Sequence, residues 1–206
     1  MADYSRGIWD YMLAKIGHKS GVAALMGNLE AESGLKPNNL QNSYESALGF
    51  TDESYTEAID SGRYTRSQFV NDQAGYGLAQ WTYSTRKANL YDTWVNNGFP
   101  SIADITLQCS FLYAELVVSY PGVLRVLETA TSIREASDKV LHDFENPADQ
   151  STSVEVYRAS LGQAWYDKYA EGGGGGEGPV VPPSPTPVKS KSMPLWLMYA
   201  ATRRGM

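Results

Sequence analysis

The sequence predicts a mainly α protein: a helical domain with a long irregular loop region, followed by a Gly/Pro-rich tail. Three observations carry this. Apolar residues recur at helical spacing in six separate segments. No segment alternates polar and apolar residues cleanly over five or more positions, which argues against a large sheet. The composition then breaks near residue 171: residues 172–176 are all glycine, and six of the ten prolines fall between Pro179 and Pro194.

The elements follow in chain order. Residues 5–16 place Ile8, Met12 and Ile16 on one face. Ser20 is placed to cap a helix running to Ser33, with Gly34 at the position where a left-handed residue ends a helix. Residues 38–80 are polar and rich in Gly and Asn, and read as loop with one short helix near 52–60. Residues 85–97 bring Leu90 and Trp94 together. Residues 104–119 align Leu107, Phe111 and Leu112, with Leu116 continuing the stripe and Cys109 reading as a small buried hydrophobe. Ser132 and Glu135 form a Ser-x-x-Glu capping box opening a helix to about Phe144. Val154, Arg158, Leu161, Trp165 and Tyr169 recur at helical spacing through 150–169.

A domain over 1–170 is therefore expected, then a Gly/Pro-rich linker over 171–192 that buries no core. A short apolar and basic tail over 193–206 closes the chain. Its apolar stretch, Met193 to Ala201, lies between Lys189/Lys191 and Arg203/Arg204. It is too short to span a bilayer. It reads either as a plain terminus or as an anchor for a membrane surface or a partner's groove.

Composition excludes several function classes. Seventeen Lys and Arg against 23 Asp and Glu give a net charge of −6. The tail from 171 carries four basic and two acidic residues, a net of +2, so the domain before it stands at −8. Nucleic acid is not expected as a partner, because phosphate binding favours a basic face. A single cysteine, Cys109, excludes an intrachain disulfide and a Cys-based metal site. Two histidines, His18 and His142, are half of a common zinc shell, so no metal and no cofactor are expected. The N-terminus lacks the basic and apolar regions of a secretory signal, so export without one is expected.

Two segments carry the chemistry. The first is Gly27-Asn28-Leu29-Glu30-Ala31-Glu32-Ser33-Gly34-Leu35-Lys36-Pro37. On a helical wheel, Glu30 and Glu32 flank the apolar stripe of Val22, Leu25, Met26 and Leu29 on opposite sides, and the wheel does not choose between them. Position along the axis leans to Glu32. It lies nearer the C-terminal end, where the helix dipole disfavours a carboxylate and so favours a protonated acid. A protonated carboxyl is what general acid catalysis requires. The alternative is that both are ordinary solvated carboxylates.

The second segment is Asp72-Gln73-Ala74-Gly75-Tyr76-Gly77-Leu78-Ala79-Gln80-Trp81-Thr82. Its glycines allow close backbone approach or positive φ. Tyr76, Trp81 and Tyr83 offer flat faces for the apolar side of a sugar ring. Gln80 supplies a donor and an acceptor for hydroxyl or acetamido groups. The alternative is a tight loop whose aromatics belong to the core.

Together, Glu-Ser-Gly-x-x-Pro at a helix end and Gly-Tyr-Gly-Leu-x-Gln-Trp resemble the phage tail lysozyme family. That family lies in the lysozyme-like superfamily, with goose-type lysozymes and soluble lytic transglycosylases as relatives. Asn38-Asn39-Leu40-Gln41-Asn42-Ser43-Tyr44, the Arg86-Lys87 pair and Phe144-Glu145-Asn146-Pro147-Ala148-Asp149 extend the resemblance over about 1–169. It implies a lysozyme-like helical fold, and cleavage of the β-1,4 bond between N-acetylmuramic acid and N-acetylglucosamine in peptidoglycan. It also implies that Glu32 is the catalytic acid.

The second carboxylate is open. Glycoside hydrolysis usually employs two. In goose-type relatives an acid lies shortly before or just after the Gly-Leu-Met-Gln motif. Asp72 matches the first place, Trp81-Thr82 fill the second, and Glu45, Asp52 and Glu53 stand in the loop between. With Asp72 activating water, the reaction is hydrolysis. With no base, attack by the muramic acid's own 6-hydroxyl gives an anhydro sugar, as in lytic transglycosylases. Arg86 is a candidate partner for a peptidoglycan carboxylate or for Asp72. The expected partners are glycan strands and, through the tail, phage tail proteins or a wall or membrane surface. The expected places of action are a virion tail or the host's wall space. A catalytically inactive glycan-binding or virion module is the competing class.

Overall fold

The computed structural model describes residues 3–171. The expected linker beyond Glu171 and the terminal tail lie outside the described residues. The fold is mainly α, with ten helices among the described residues and no strand. They are α1 (Ser5–Ile16), α2 (Lys19–Ser33), α3 (Asn42–Leu48), α4 (Asp52–Asp60), α5 (Arg66–Asn71), α6 (Ser84–Asn97), α7 (Ile105–Val118), α8 (Pro121–Thr129), α9 (Ile133–Val140) and α10 (Thr152–Tyr166). Wider π-helical turns follow α9 at Leu141–Glu145 and α10 at Asp167–Glu171.

The chain divides into two units. One holds the described residues up to Leu35 and those from Tyr113 onward; the other holds 36–112, so the division falls within α7.

In the first unit α2 is the central helix, with every residue from Gly21 to Leu29 buried. It packs against α1, α8, α9 and α10. Two glycines bring it close to its neighbours. A Cβ on Gly27 would stand 2.4 Å from the Gly162 nitrogen and 2.5 Å from the Arg158 oxygen of α10. A Cβ on Gly21 would stand 1.8 Å from the Leu127 oxygen of α8. Only a missing side chain permits such crossings. Ile8, Met12 and Ile16 of α1 are buried as their spacing predicts. The helix ends follow expectation at Gly34, which is left-handed at φ 61° and donates its N–H to the Glu30 carbonyl. Ser132 caps α9 by accepting from the Glu135 N–H.

One expectation is corrected. Ser20 is not the cap of α2; the helix starts at Lys19 with His18 at its N-cap. Only two residues separate it from α1, so the chain enters it straight from the turn at Gly17. The helix expected to reach about Phe144 does so, α-helical to Val140 and then as a wider π-helical turn through Glu145, and it stops at Asn146, which has φ 47°. Helix α8 was not expected, although Pro121 at its first position and buried Val123 and Leu127 mark it.

In the second unit the 38–80 region is less irregular than expected. Besides α4, near the place foreseen, it forms α3 and α5. Thr51 and Thr65 head α4 and α5 with reciprocal capping boxes, to Ser54 and Gln68. The core of this unit is aromatic. Tyr55 lies 5.5 Å from Tyr76, and Phe69 meets Tyr76 edge-on at 5.7 Å.

Candidate active site

Glu32 stands in the last turn of α2, and α10 crosses that turn. Arg158 of α10 donates from Nη2 to Glu32 Oε1 at 2.5 Å. The arginine side chain is 8% exposed and that of Glu32 19%. Arg158 Nη1 also donates to Asn28 Oδ1 at 3.3 Å. Asn28 is itself fully buried, and its amide nitrogen donates to Ser137 Oγ and to the Ala24 carbonyl. A polar chain therefore runs from α9 through α2 and α10 to the Glu32 carboxylate. Glu32 Oε2 accepts no hydrogen bond among the described residues. Glu30, the other acid of the wheel, accepts at 2.7 Å from the Trp165 indole. Trp165 stacks on Tyr169, with ring centres 5.8 Å apart. The two acids thus have different partners on α10: a buried guanidinium for Glu32, an aromatic N–H for Glu30.

The other expected residues lie in the second unit, on the 72–83 segment and α6. The segment is knitted to residues 37–41 through backbone and amide groups. The Gly77 N–H donates to the Asn39 carbonyl at 2.9 Å and the Gln41 N–H to the Gly75 carbonyl at 2.9 Å. Gln108, fully buried on α7, accepts from the Leu78 N–H and donates to the Pro37 and Ile102 carbonyls. Gly77 is required twice. Its φ is 75°, and a Cβ there would come within 2.6 Å of Gln108 Oε1.

Within this frame Gln80 has φ 42°, and its amide nitrogen donates to Asn39 Oδ1 at 2.8 Å and to the Gly77 carbonyl at 3.1 Å. The group expected to meet a sugar thus spends its donors inside the loop. Tyr76 and Trp81 are both fully enclosed. The Tyr76 hydroxyl pairs with Thr56 at 2.8 Å, and Trp81 packs edge-on against Phe111 at 5.2 Å. For these two the core alternative is the one observed. Tyr83, by contrast, is 71% exposed. It borders an open hollow of about 460 Å³ lined also by Tyr44, Asn71, Gln73 and Thr82. Arg86 is half-buried in the first turn of α6.

Asp72 sits at the end of α5 with its side chain 3% exposed. Its carboxylate accepts from Lys87, from the Tyr55 hydroxyl at 2.5 Å, from the Tyr64 hydroxyl at 3.2 Å and from the Ala74 N–H at 3.0 Å. Lys87 has no exposed surface. It also donates to the Ala74 carbonyl at 2.8 Å and lies 4.4 Å from the Phe69 ring centre. Burial pushes the Lys87 ammonium down and Asp72 opposes that. Burial, reinforced by Asp72, pushes the Tyr55 hydroxyl far up and that of Tyr64 up to about 12. Sequence reasoning missed Lys87 as a buried partner. Of the other acids, Asp52 accepts from the Leu40 N–H at 2.8 Å and faces Lys36 at 3.7 Å. Glu53 accepts from Thr51 at 3.2 Å, and Glu45 is half-buried on α3. Among the described residues no group of three or more His, Cys, Asp or Glu is arranged to hold a metal.

Comparison with known proteins gives one result. The profile of the phage tail lysozyme family matches residues 4–169. No match emerges among curated proteins or among solved structures.

Proposed function

The chain belongs to the phage tail lysozyme family, and from that premise we propose that it cleaves the β-1,4 bond between N-acetylmuramic acid and N-acetylglucosamine in peptidoglycan. The carrying observation is Glu32: a partly exposed carboxyl on a helix end, gripped at Oε1 by Arg158 and open at Oε2. Oε2 carries a proton to the glycosidic oxygen as the bond to C1 breaks, which is the general acid's part. Tyr83 supplies the accessible ring for a sugar face, beside the amides of Asn71 and Gln73. Gln80, Tyr76 and Trp81 act by shaping the loop rather than by stacking. The protein works on glycan strands from a virion tail or in the host's wall space. The tail from 193 is a tether to phage tail proteins or to a wall or membrane surface.

One observation favours a second reading of the same step. The Asp72 carboxylate is already filled by four donors. A carboxylate so enclosed is a poor base for a water molecule. With Asp72 in that role, attack passes to the 6-hydroxyl of the muramic acid. That oxygen bonds to C1 as the bond to the leaving oxygen breaks, its proton passes to the Glu32 carboxylate formed by the first transfer, and a 1,6-anhydro end forms.

The test is loss of turbidity of purified peptidoglycan by wild type and by Glu32→Gln, with mass analysis of the soluble fragments. Wild-type lysis lost in Glu32→Gln is expected. Fragments with a reducing muramic acid mean hydrolysis; fragments lighter by one water mean transglycosylation. A fully active Glu32→Gln overturns the assignment of the acid, and an inactive wild type on several wall types favours a binding or virion module.

A further inference from the structure

We infer that Arg158 is the positioning residue of the reaction: it fixes the rotamer of Glu32. The inference rests on the reading of Glu32 as the acid.

The geometry runs in one direction. Asn28 spends its amide nitrogen on Ser137 Oγ at 3.0 Å and on the Ala24 carbonyl at 3.0 Å. Its Oδ1 is thereby turned to Arg158, and it accepts from Nη1. A guanidinium is a rigid planar fork, so fixing one arm fixes the other. The other arm, Nη2, meets Glu32 Oε1. Gly27 and Gly162 let the backbones of α2 and α10 approach closely enough for this reach, since a Cβ on Gly27 would touch the Arg158 carbonyl. The stem of Arg158 is buried with the head, so the fork has little freedom to wander. Glu32, on a helix end that is part-exposed, would otherwise sample several rotamers.

The bond is charge-assisted and enclosed, which strengthens it relative to one in water, so the grip on Oε1 is firm. Among the described residues, the chain Ser137, Asn28, Arg158 terminates on Glu32.

The experiment is steady-state kinetics on soluble glycan-strand oligomers with the full chain: wild type, Glu32→Gln, Arg158→Lys, Arg158→Met and the double variant Glu32→Gln/Arg158→Met. Rates are taken per folded molecule, from circular dichroism and thermal unfolding of each preparation. A misplaced acid costs about 10²-fold, so Arg158→Met is expected to lose kcat by that order with KM held within about two-fold. Arg158→Lys keeps the charge but not the fork, and is expected to lie between Arg158→Met and wild type. It is the variant to use if Arg158→Met fails to fold. In the Glu32→Gln background, Arg158→Met is expected to cost nothing further, because a residue acting through another loses its effect when that other is gone. A purely structural Arg158 would lower stability in both backgrounds and leave kcat per folded molecule unchanged. That result, or a wild-type kcat in folded Arg158→Lys, overturns the inference while leaving Glu32 as the acid. Full activity of Glu32→Gln overturns the reading beneath it.

Discussion

Replacing Lys87 by Met should destabilise the second unit by about 3 kcal/mol, the lower part of the range of about 3–5 kcal/mol for removing one partner of a buried ion pair. The lower part is chosen from the structure. Asp72 would keep three donors, the hydroxyls of Tyr55 and Tyr64 and the Ala74 N–H. Methionine would keep the stem's packing beside Phe69. What is lost is the buried cation paired with a carboxylate whose side chain is 3% exposed, together with the bond to the Ala74 carbonyl. Asp72→Asn should cost a similar amount, by stranding an ammonium with no exposed surface. The double variant should cost less than the two singles together, with a coupling of about 2 kcal/mol, as contacting groups in one network show. Urea unfolding followed by tryptophan fluorescence measures all three, with Trp81 and Trp94 reporting from this unit. Asp72→Asn should also keep its lytic rate per folded molecule. Additive singles, or a cost under about 1 kcal/mol for either, would refute the reasoning. So would a stable Asp72→Asn that had lost all lysis, which would return Asp72 to the chemistry as the base.

Gly27→Ala should destabilise by about 1–3 kcal/mol or more, because its Cβ would meet backbone atoms of α10 at 2.4 and 2.5 Å and neither helix can yield cheaply. Thermal unfolding of the purified variant gives the answer, and an unchanged midpoint would mean that α2 and α10 do not cross so closely. The hydroxyls of Tyr55, Tyr64 and Tyr76 all have folded pKa values raised above the unfolded 10.0, chiefly by burial, and that of Tyr64 reaches about 12. A raised folded value contributes stability that is intact below about pH 10 and is lost as pH rises through the folded values. Ultraviolet titration should therefore show these tyrosines ionising late and together with unfolding; smooth ionisation of every tyrosine near pH 10 would contradict it.

Most of the first unit was legible from apolar residues at helical spacing and from local signals at helix ends. Ile8, Met12 and Ile16 share a face, and all three are buried. Gly34 after the apolar stripe marks the end of α2 for a local reason, its left-handed φ, so sequence alone reveals it. The short helices escaped because α3 and α5 have seven and six residues, too few for a period of 3.6 to repeat. The signal that remained was local chemistry: Thr65-x-x-Gln68 is a capping box, and the structure closes it from both sides. The choice between Glu30 and Glu32 is of another kind. The two differ by what α10 offers them, a guanidinium or an indole N–H, and α10 lies more than a hundred residues along the chain. No wheel drawn on α2 contains that information.

The burial of the aromatic motif was hidden from the sequence for a related reason. A region built from short helices leaves many backbone groups unpaired, and buried groups of that kind must find partners. Here side chains supply them: Gln41 accepts from Gly75, Asp52 from Leu40, Asp72 from Ala74, Gln108 from Leu78, and Asp60 from Ile102. Such a region also lacks long apolar stripes, so it must bury large rings to exclude water. Tyr55, Phe69, Tyr76 and Trp81 do so. The same Gly, Gln and aromatic residues that suggest a sugar platform are therefore what a loop needs to hold itself rigid. The two demands separate on exposure, which sequence does not display. Of the motif's rings Tyr83 is the exposed one, and on the proposed function replacing it by Ala should raise KM on glycan oligomers while leaving the melting temperature unchanged. A lower melting temperature with unaltered KM would place Tyr83 with the core rings instead.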